Sequence, residues 1–310
     1  MAKIWEEYRG YRLCQAYVNL TTRSTFRSIR VEGLENVPSE GAVLLAPNHC
    51  ATLMDPLLML VALRRPVGFG ARSDIFANPR IARILRWLRI VPLARERNGL
   101  SEVAKNFAVF DEIIDCIGHD VPFCMYAEGT HRPERGMLPV KKAIFRIARM
   151  AREQLGKPVY IVPVGVNYEY FFRGQGRVRI RFGEPMEIGE AFARHDGRAE
   201  ADIYHALCEE LREADLALIG EEMPRRHGLK GLRALAALLL LPLFVLCAAA
   251  SLLIWLPLRI IMRGIKDKAW THTVRFALHL FLPVFWIFHI PFERMLNFGR
   301  NLWDDLRRKA

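Results

Sequence analysis

Up to about residue 224, apolar stretches of strand length alternate with segments that repeat at helical period. The stretches at 42–45, 67–70, 90–93, 121–126, 160–166 and 178–182 predict strands, most of them without the alternation of a half-exposed sheet. The helical pattern occupies 56–63, 79–88, 101–117, 141–153 and 201–218, with Ser101 a plausible N-cap and Gly118 a plausible stop. Strands and helices in alternation predict an α/β fold: one domain over 29–222 whose mostly parallel sheet is flanked by helices.

Beyond that domain the pattern changes. Residues 223–233 form a basic linker containing Arg225, Arg226, Lys230 and Arg233. No charged residue then occurs from 234 to 258, and a bilayer-spanning helix needs about 20 such residues. Trp255 stands near the far end, where an interfacial aromatic belongs. A second apolar run, 276–292, contains His279, Pro283 and His289. At about 1.5 Å per residue it would reach only roughly 25 Å, short of the hydrocarbon core. The loop between the runs is basic (Arg259, Arg263, Lys266, Lys268 and Arg275 against Asp267), so both ends of the first run are positive. These features predict a C-terminal hydrophobic helical hairpin over 234–292, either shallow or fully spanning, followed by a polar tail, 293–310. At the other terminus, residues 1–28 mix Trp5, Tyr8, Tyr11 and Tyr17 with Arg9, Arg12 and Arg23, which suits an interfacial helix or a plain helix packed on the domain.

Charge and cysteine usage narrow the classes. A net charge of +12 implies anionic partners: nucleic acid, an anionic membrane surface or a phosphorylated small molecule. No basic motif interleaved with aromatics appears, which argues against nucleic acid. The six cysteines are scattered without CxxC pairs, so neither a structural zinc site nor a disulfide framework is expected, and no metal or cofactor is implied.

The candidate chemistry lies in loops that follow strands. After the first predicted strand comes Pro47-Asn48-His49-Cys50-Ala51-Thr52-Leu53-Met54-Asp55-Pro56. A carboxylate bonded to one imidazole nitrogen fixes the tautomer and leaves the other nitrogen to take a proton from a hydroxyl. Later loops carry Arg95 after Ile90-Val91-Pro92-Leu93-Ala94, then Glu128-Gly129-Thr130-His131-Arg132, then Pro139-Val140-Lys141-Lys142. Such loops are where α/β sheets assemble their sites.

These blocks, in this order, resemble the glycerolipid acyltransferase family, that is, the glycerol-3-phosphate and 1-acylglycerol-3-phosphate acyltransferases. The resemblance covers roughly 29–185 and begins at Val31-Glu32-Gly33-Leu34-Glu35-Asn36-Val37-Pro38. One feature departs from the usual pattern: five residues separate His49 from Asp55 where the family commonly has four, a variant that resembles fungal glycerol-3-phosphate acyltransferases and some bacterial relatives. The resemblance implies His49 as general base, Asp55 as its orienting partner and Arg95 as acceptor-phosphate ligand. It also implies substrate contacts from Glu128, Gly129, Thr130, Arg132 and Lys141. The implied partners are an acyl-CoA or acyl carrier protein thioester, a phosphorylated glycerol acceptor and anionic membrane lipids. A cytoplasmic donor implies a membrane protein whose catalytic domain faces the cytoplasm. Two other readings stay open: a hydrolase or transacylase using Cys50 covalently, and a basic membrane-anchored binding protein without turnover.

Overall fold

The computed structural model describes residues 3–94, 106–221, 223, 235 and 238–307. Its strands are β1 (Ser28–Glu32), β2 (Ala42–Pro47), β3 (Gly68–Arg72), β4 (Ile90–Leu93), β5 (Phe123–Cys124), β6 (Val159–Tyr168), β7 (Arg177–Phe182) and β8 (Met186–Glu187). They make one sheet in the order β1-β7-β6-β2-β5-β3-β4, with β8 on β6. All pairings are parallel except those of β6 with β7 and β8. The helices of the domain are α1 (Tyr11–Thr25), α2 (Met54–Leu63), α3 (Pro79–Trp87), α4 (Asn106–Gly118), α5 (Ala143–Leu155), α6 (Ile188–Ala193) and α7 (Glu200–Ile219). This is the α/β architecture the alternating pattern predicts.

Burial explains the strand sequences. Every residue of β2 is buried, because helices cover both faces at the centre of the sheet. Ala42, Leu44 and Ala46 face a core shared with α4, α5 and α7, while Val43 and Leu45 face a second core built with α2. Nearer the edge, β7 reads Arg-Val-Arg-Ile-Arg-Phe and buries only Val178, Ile180 and Phe182. Its outward row of arginines is why a strand here has a weak apolar signal. The edge strand β1 alternates in the same way and was not expected, nor were β8 and α6.

The C-terminal region departs furthest from expectation. Its helices are α8 (Leu241–Gly264), α9 (Thr271–Phe281) and α10 (Trp286–Arg307). The α8 helix is long and apolar enough to cross a bilayer. Cys247, Ser251, Ile254, Leu258 and Met262 form one buried stripe at helical spacing. Leu246, Leu252, Leu253, Leu256 and Ile260 are each at least half exposed, a surface that water does not favour and acyl chains do. The second run is instead broken, with a bend of 104° between 268–281 and 283–304. Its first half is docked on the α/β domain: Phe276 belongs to the core around α2, and Tyr17 Oη donates to the carbonyl of Leu280. The expected boundary between hairpin and polar tail falls inside α10. Several polar residues of α9 and α10 face inward. Arg275 and Glu293 form a buried ion pair at 3.1 Å, and His279 Nδ1 lies 3.0 Å from Ser24 Oγ. The expected basic linker lies almost wholly outside the described residues.

Candidate active site

The loop after β2 is shaped by one amide side chain. Asn48 Nδ2 donates to the carbonyl of Val166 at 3.1 Å, and Val166 N donates to Asn48 Oδ1 at 2.7 Å. The fully buried Asn48 side chain thus continues the β2–β6 ladder while its main chain turns away. His49 follows at the turn. Its Nδ1 lies 2.7 Å from Asp55 Oδ2, and Asp55, at the start of α2, is fully buried. An ionised carboxylate only accepts, so Nδ1 carries the proton and Nε2 presents its lone pair. Among the described residues Nε2 has no hydrogen-bond partner, and the ring keeps 17% of its side-chain surface exposed.

Asp55 is held from every side. Oδ2 also accepts from Cys50 N and Ala51 N, each at 2.8 Å, and Oδ1 accepts from Tyr168 Oη at 2.5 Å. Tyr168 reaches it because β6 runs beyond the point where β2 ends, at the pair Pro47 and Val164. The five-residue spacer closes through Thr52, whose φ is 45°. For a β-branched residue this left-handed conformation is strained, costing on the order of 1–3 kcal/mol. Its hydroxyl lies 2.6 Å from Thr273 Oγ1 on α9.

The loop after β5 closes on the first. Glu128 is 4% exposed; Oε1 accepts from His49 N at 2.6 Å and Oε2 from Leu138 N at 2.8 Å. Burial raises its carboxyl above the usual range, against the two amides, which favour the anion. Both carboxylate oxygens of Glu128 are engaged by main chain, so its side chain locks the two loops together. Arg132 N donates to the carbonyl of His49 at 3.1 Å, while its side chain pairs with Glu134 at the surface. Gly129, at φ 72°, and Thr130 form an exposed turn, and the exposed Lys141 donates its main-chain N–H to the carbonyl of Ala127. The sequence-derived residues therefore fall into three groups. His49 touches both Asp55 and Glu128; Gly129, Thr130, Arg132 and Lys141 rim the same loops, and Arg95 lies outside the described residues.

Cys50 does not have the surroundings of a nucleophile. It is 2% exposed, its thiol donates to the carbonyl of Glu134 at 3.3 Å, and Asn48 Nδ2 approaches the sulfur at 3.1 Å. Burial, with the Asp55 and Glu128 carboxylates adding to it, holds the thiol pKa well above its ordinary value. Cys50→Ala is expected to keep acyl transfer within a few-fold of wild type, measured as thiol release from the donor. Complete inactivation would mean an acyl-enzyme.

Sequence reasoning did not assign Asn48, Tyr126, Tyr168 or a partner for His131. Tyr126 stacks on the His49 ring with centroids 4.2 Å apart, and His131 stands edge-on to it at 5.3 Å. His131 Nε2 bonds Asp267 Oδ2 at 2.5 Å, across 136 positions of sequence. Only the short His–Asp spacing gave a local signal; the other partners are brought in by the sheet and by the C-terminal helices.

Comparison with known proteins bears on this geometry. A family model described as Acyltransferase matches residues 28–167, a span that contains His49, Asp55, Arg95, Glu128, Gly129, Thr130, Arg132 and Lys141 but not Tyr168, Asp267 or Thr273. The 1-acyl-sn-glycerol-3-phosphate acyltransferase of Bacillus subtilis (strain 168) is 22% identical over 187 residues, covering 60% of this chain and 88% of that protein. Among solved structures, the 1-acyl-sn-glycerophosphate (LPA) acyltransferase PlsC from Thermotoga maritima is 21% identical, with a TM-score of 0.48 over 70% of this chain and 84% of that one.

Proposed function

We propose that this chain, an acyltransferase by its match over residues 28–167, is a glycerolipid acyltransferase that moves a fatty acyl group from a thioester, acyl-CoA or acyl carrier protein, to a free hydroxyl of 1-acylglycerol-3-phosphate. Glycerol-3-phosphate is the second acceptor of the same chemistry. The observation that carries the reading is the His49–Asp55 pair, with a buried carboxylate on Nδ1 and an imidazole that keeps 17% of its side-chain surface exposed.

In the proposed reaction Nε2 removes the proton of the acceptor hydroxyl as its oxygen attacks the thioester carbonyl carbon. The C–O bond forms, Asp55 stabilises the imidazolium, the C–S bond breaks, and the thiolate leaves with the proton from His49. No acyl-enzyme is needed, in keeping with the buried, protonated Cys50. Arg95, Arg132 and Lys141 supply positive charge for the phosphate, and a guanidinium fork suits phosphate oxygens better than a point charge does. Glycine at 129 lets the exposed turn approach a substrate oxygen closely. The α8 helix spans the bilayer in this reading, and the domain stands on the cytoplasmic side, where the thioester donors are.

The deciding experiment supplies the full-length protein in mixed micelles with both donors and a panel of phosphorylated and unphosphorylated acceptors, and identifies the lipid formed. Acylation of a lysolipid that lacks the phosphomonoester, in preference to 1-acylglycerol-3-phosphate, would refute the acceptor assignment. With the preferred pair, Arg95→Ala should raise the acceptor KM at least tenfold more than the donor KM, with Lys restoring only part of the loss. Equal damage to both KM values would remove Arg95 from the phosphate site.

A further inference from the structure

Both loops of the active site are tied to one short piece of chain, and that piece lies about 100 residues beyond the matched acyltransferase span. Thr273, at the start of α9, holds the Thr52 hydroxyl at 2.6 Å, and both residues are 7% exposed. Asp267, in the turn before α9, holds His131 at 2.5 Å, and the His131 ring stands against the His49 ring. Between them in sequence, His272 stacks on Tyr168, centroids 5.8 Å apart and planes within 16°, and its Nε2 lies 2.9 Å from the carbonyl of Tyr170. Tyr168 is the residue whose hydroxyl holds Asp55.

We propose that residues 267–273 are a positioning element of the active site, with Thr273 acting through Thr52 on the first loop and Asp267 acting through His131 on the second. The proposal rests on the reading of His49 and Asp55 as the base and its partner. Thr52 is the residue at which the spacer closes, and its left-handed backbone is one that a β-branched residue does not adopt unaided. The neighbouring amides of Cys50 and Ala51 grip Asp55 Oδ2, the same oxygen that holds His49. If Thr52 relaxes, those amides move, and the carboxylate and imidazole move with them. A misplacement of about 1 Å at reacting groups costs on the order of 100-fold in rate. The short helix entry at 267–273 is also continuous with α9, which packs on the bilayer-length α8, so the part of the molecule that meets lipid is mechanically joined to the catalytic loop.

The test uses full-length enzyme in lipid micelles, with rates expressed per folded molecule. Thr273→Val, which keeps shape and removes the hydroxyl, should lower kcat about tenfold or more, with donor and acceptor KM within about twofold. Thr273→Ser should recover most of the rate, because the hydroxyl is restored. Thr52→Gly relieves the strain, since glycine accepts the left-handed backbone. In that background Thr273→Val should cost less than half as much on a logarithmic scale, a coupling that general destabilisation would not produce. Asp267→Ala, at a half-exposed side chain whose loss does not threaten folding, should lower kcat in the same KM-neutral way. Wild-type kcat in both Thr273→Val and Asp267→Ala, or equal effects of Val and Ser at 273, would overturn the proposal. Those outcomes leave the base assignment standing so long as His49→Ala is inactive; an active His49→Ala would overturn that assignment first.

Discussion

Replacing His49 by Ala should lower acyl transfer by 10²- to 10⁴-fold, the range that a positioned general base contributes. The substitution should do so without unfolding the domain, for a reason visible in the bonds that remain. The two contacts that hold residue 49 in place, its N–H on Glu128 and its carbonyl under Arg132 N, belong to the main chain and survive in alanine. Asp55 loses one donor but keeps the amides of Cys50 and Ala51 and the hydroxyl of Tyr168, so its buried charge is not stranded. What disappears is the nitrogen proposed to take the acceptor's proton. Thiol release from the donor, measured beside the far-UV circular dichroism of the variant, checks both halves of the expectation. A folded His49→Ala protein working at near wild-type rate would end the base assignment.

How much of this could be read from the sequence follows from the range over which each feature is encoded. β4 was predicted residue for residue, and the central strands β2 and β6 at slightly short limits; in β2 and β6 burial on both faces leaves a continuous apolar run. β1 escaped because an edge strand with one solvent face carries Ser28, Arg30 and Glu32 between its apolar residues. The His49–Asp55 pair was legible since both members lie in one loop. The structure that makes it a pair was not, because its donors are two backbone amides and a tyrosine 113 positions away. Glu128 shows the complementary limit. Its identity was recognised as part of the site, but a sequence does not say whether a carboxylate meets substrate or main chain, and here it meets two amides.

The C-terminal runs show what hydropathy alone measures. It finds segments that avoid water, and α8 is one whose exposed leucines still need an apolar surrounding. It does not separate lipid from protein as the alternative to water. Phe276 escapes water inside the core that α2 shares, and Arg275, His279, His289 and Glu293 are buried on the inner faces of α9 and α10. Charged residues flanking an apolar run therefore marked an internal ion pair, Arg275 with Glu293, as well as a membrane edge.

Asp55→Asn should be folded and slower by roughly 10³-fold, and the arrangement of donors says why the loss is of charge rather than of geometry. Three donors converge on Oδ2: His49 Nδ1–H, Cys50 N–H and Ala51 N–H. Among the described residues Oδ1 meets only the Tyr168 hydroxyl, which can rotate and accept instead of donating. Asparagine therefore has one satisfying orientation, with its oxygen in the place of Oδ2 and its amide toward Tyr168 Oη. His49 keeps its Nδ1–H tautomer and its position, but the imidazolium formed during transfer no longer faces a negative charge. A unit charge about 4 Å away is worth about 4 kcal/mol at an effective dielectric of 20, which corresponds to roughly 10³ in rate. Asp55→Ala should differ in kind, because the amides of Cys50 and Ala51 are then buried without an acceptor, at a cost of about 1–3 kcal/mol each. Thermal unfolding should thus separate the two variants, Asn close to wild type and Ala well below it, while kcat is low in both. Should Asp55→Asn transfer acyl groups at near wild-type rate, the carboxylate does no more than hold the loop, and the charge of Asp55 has no part in catalysis.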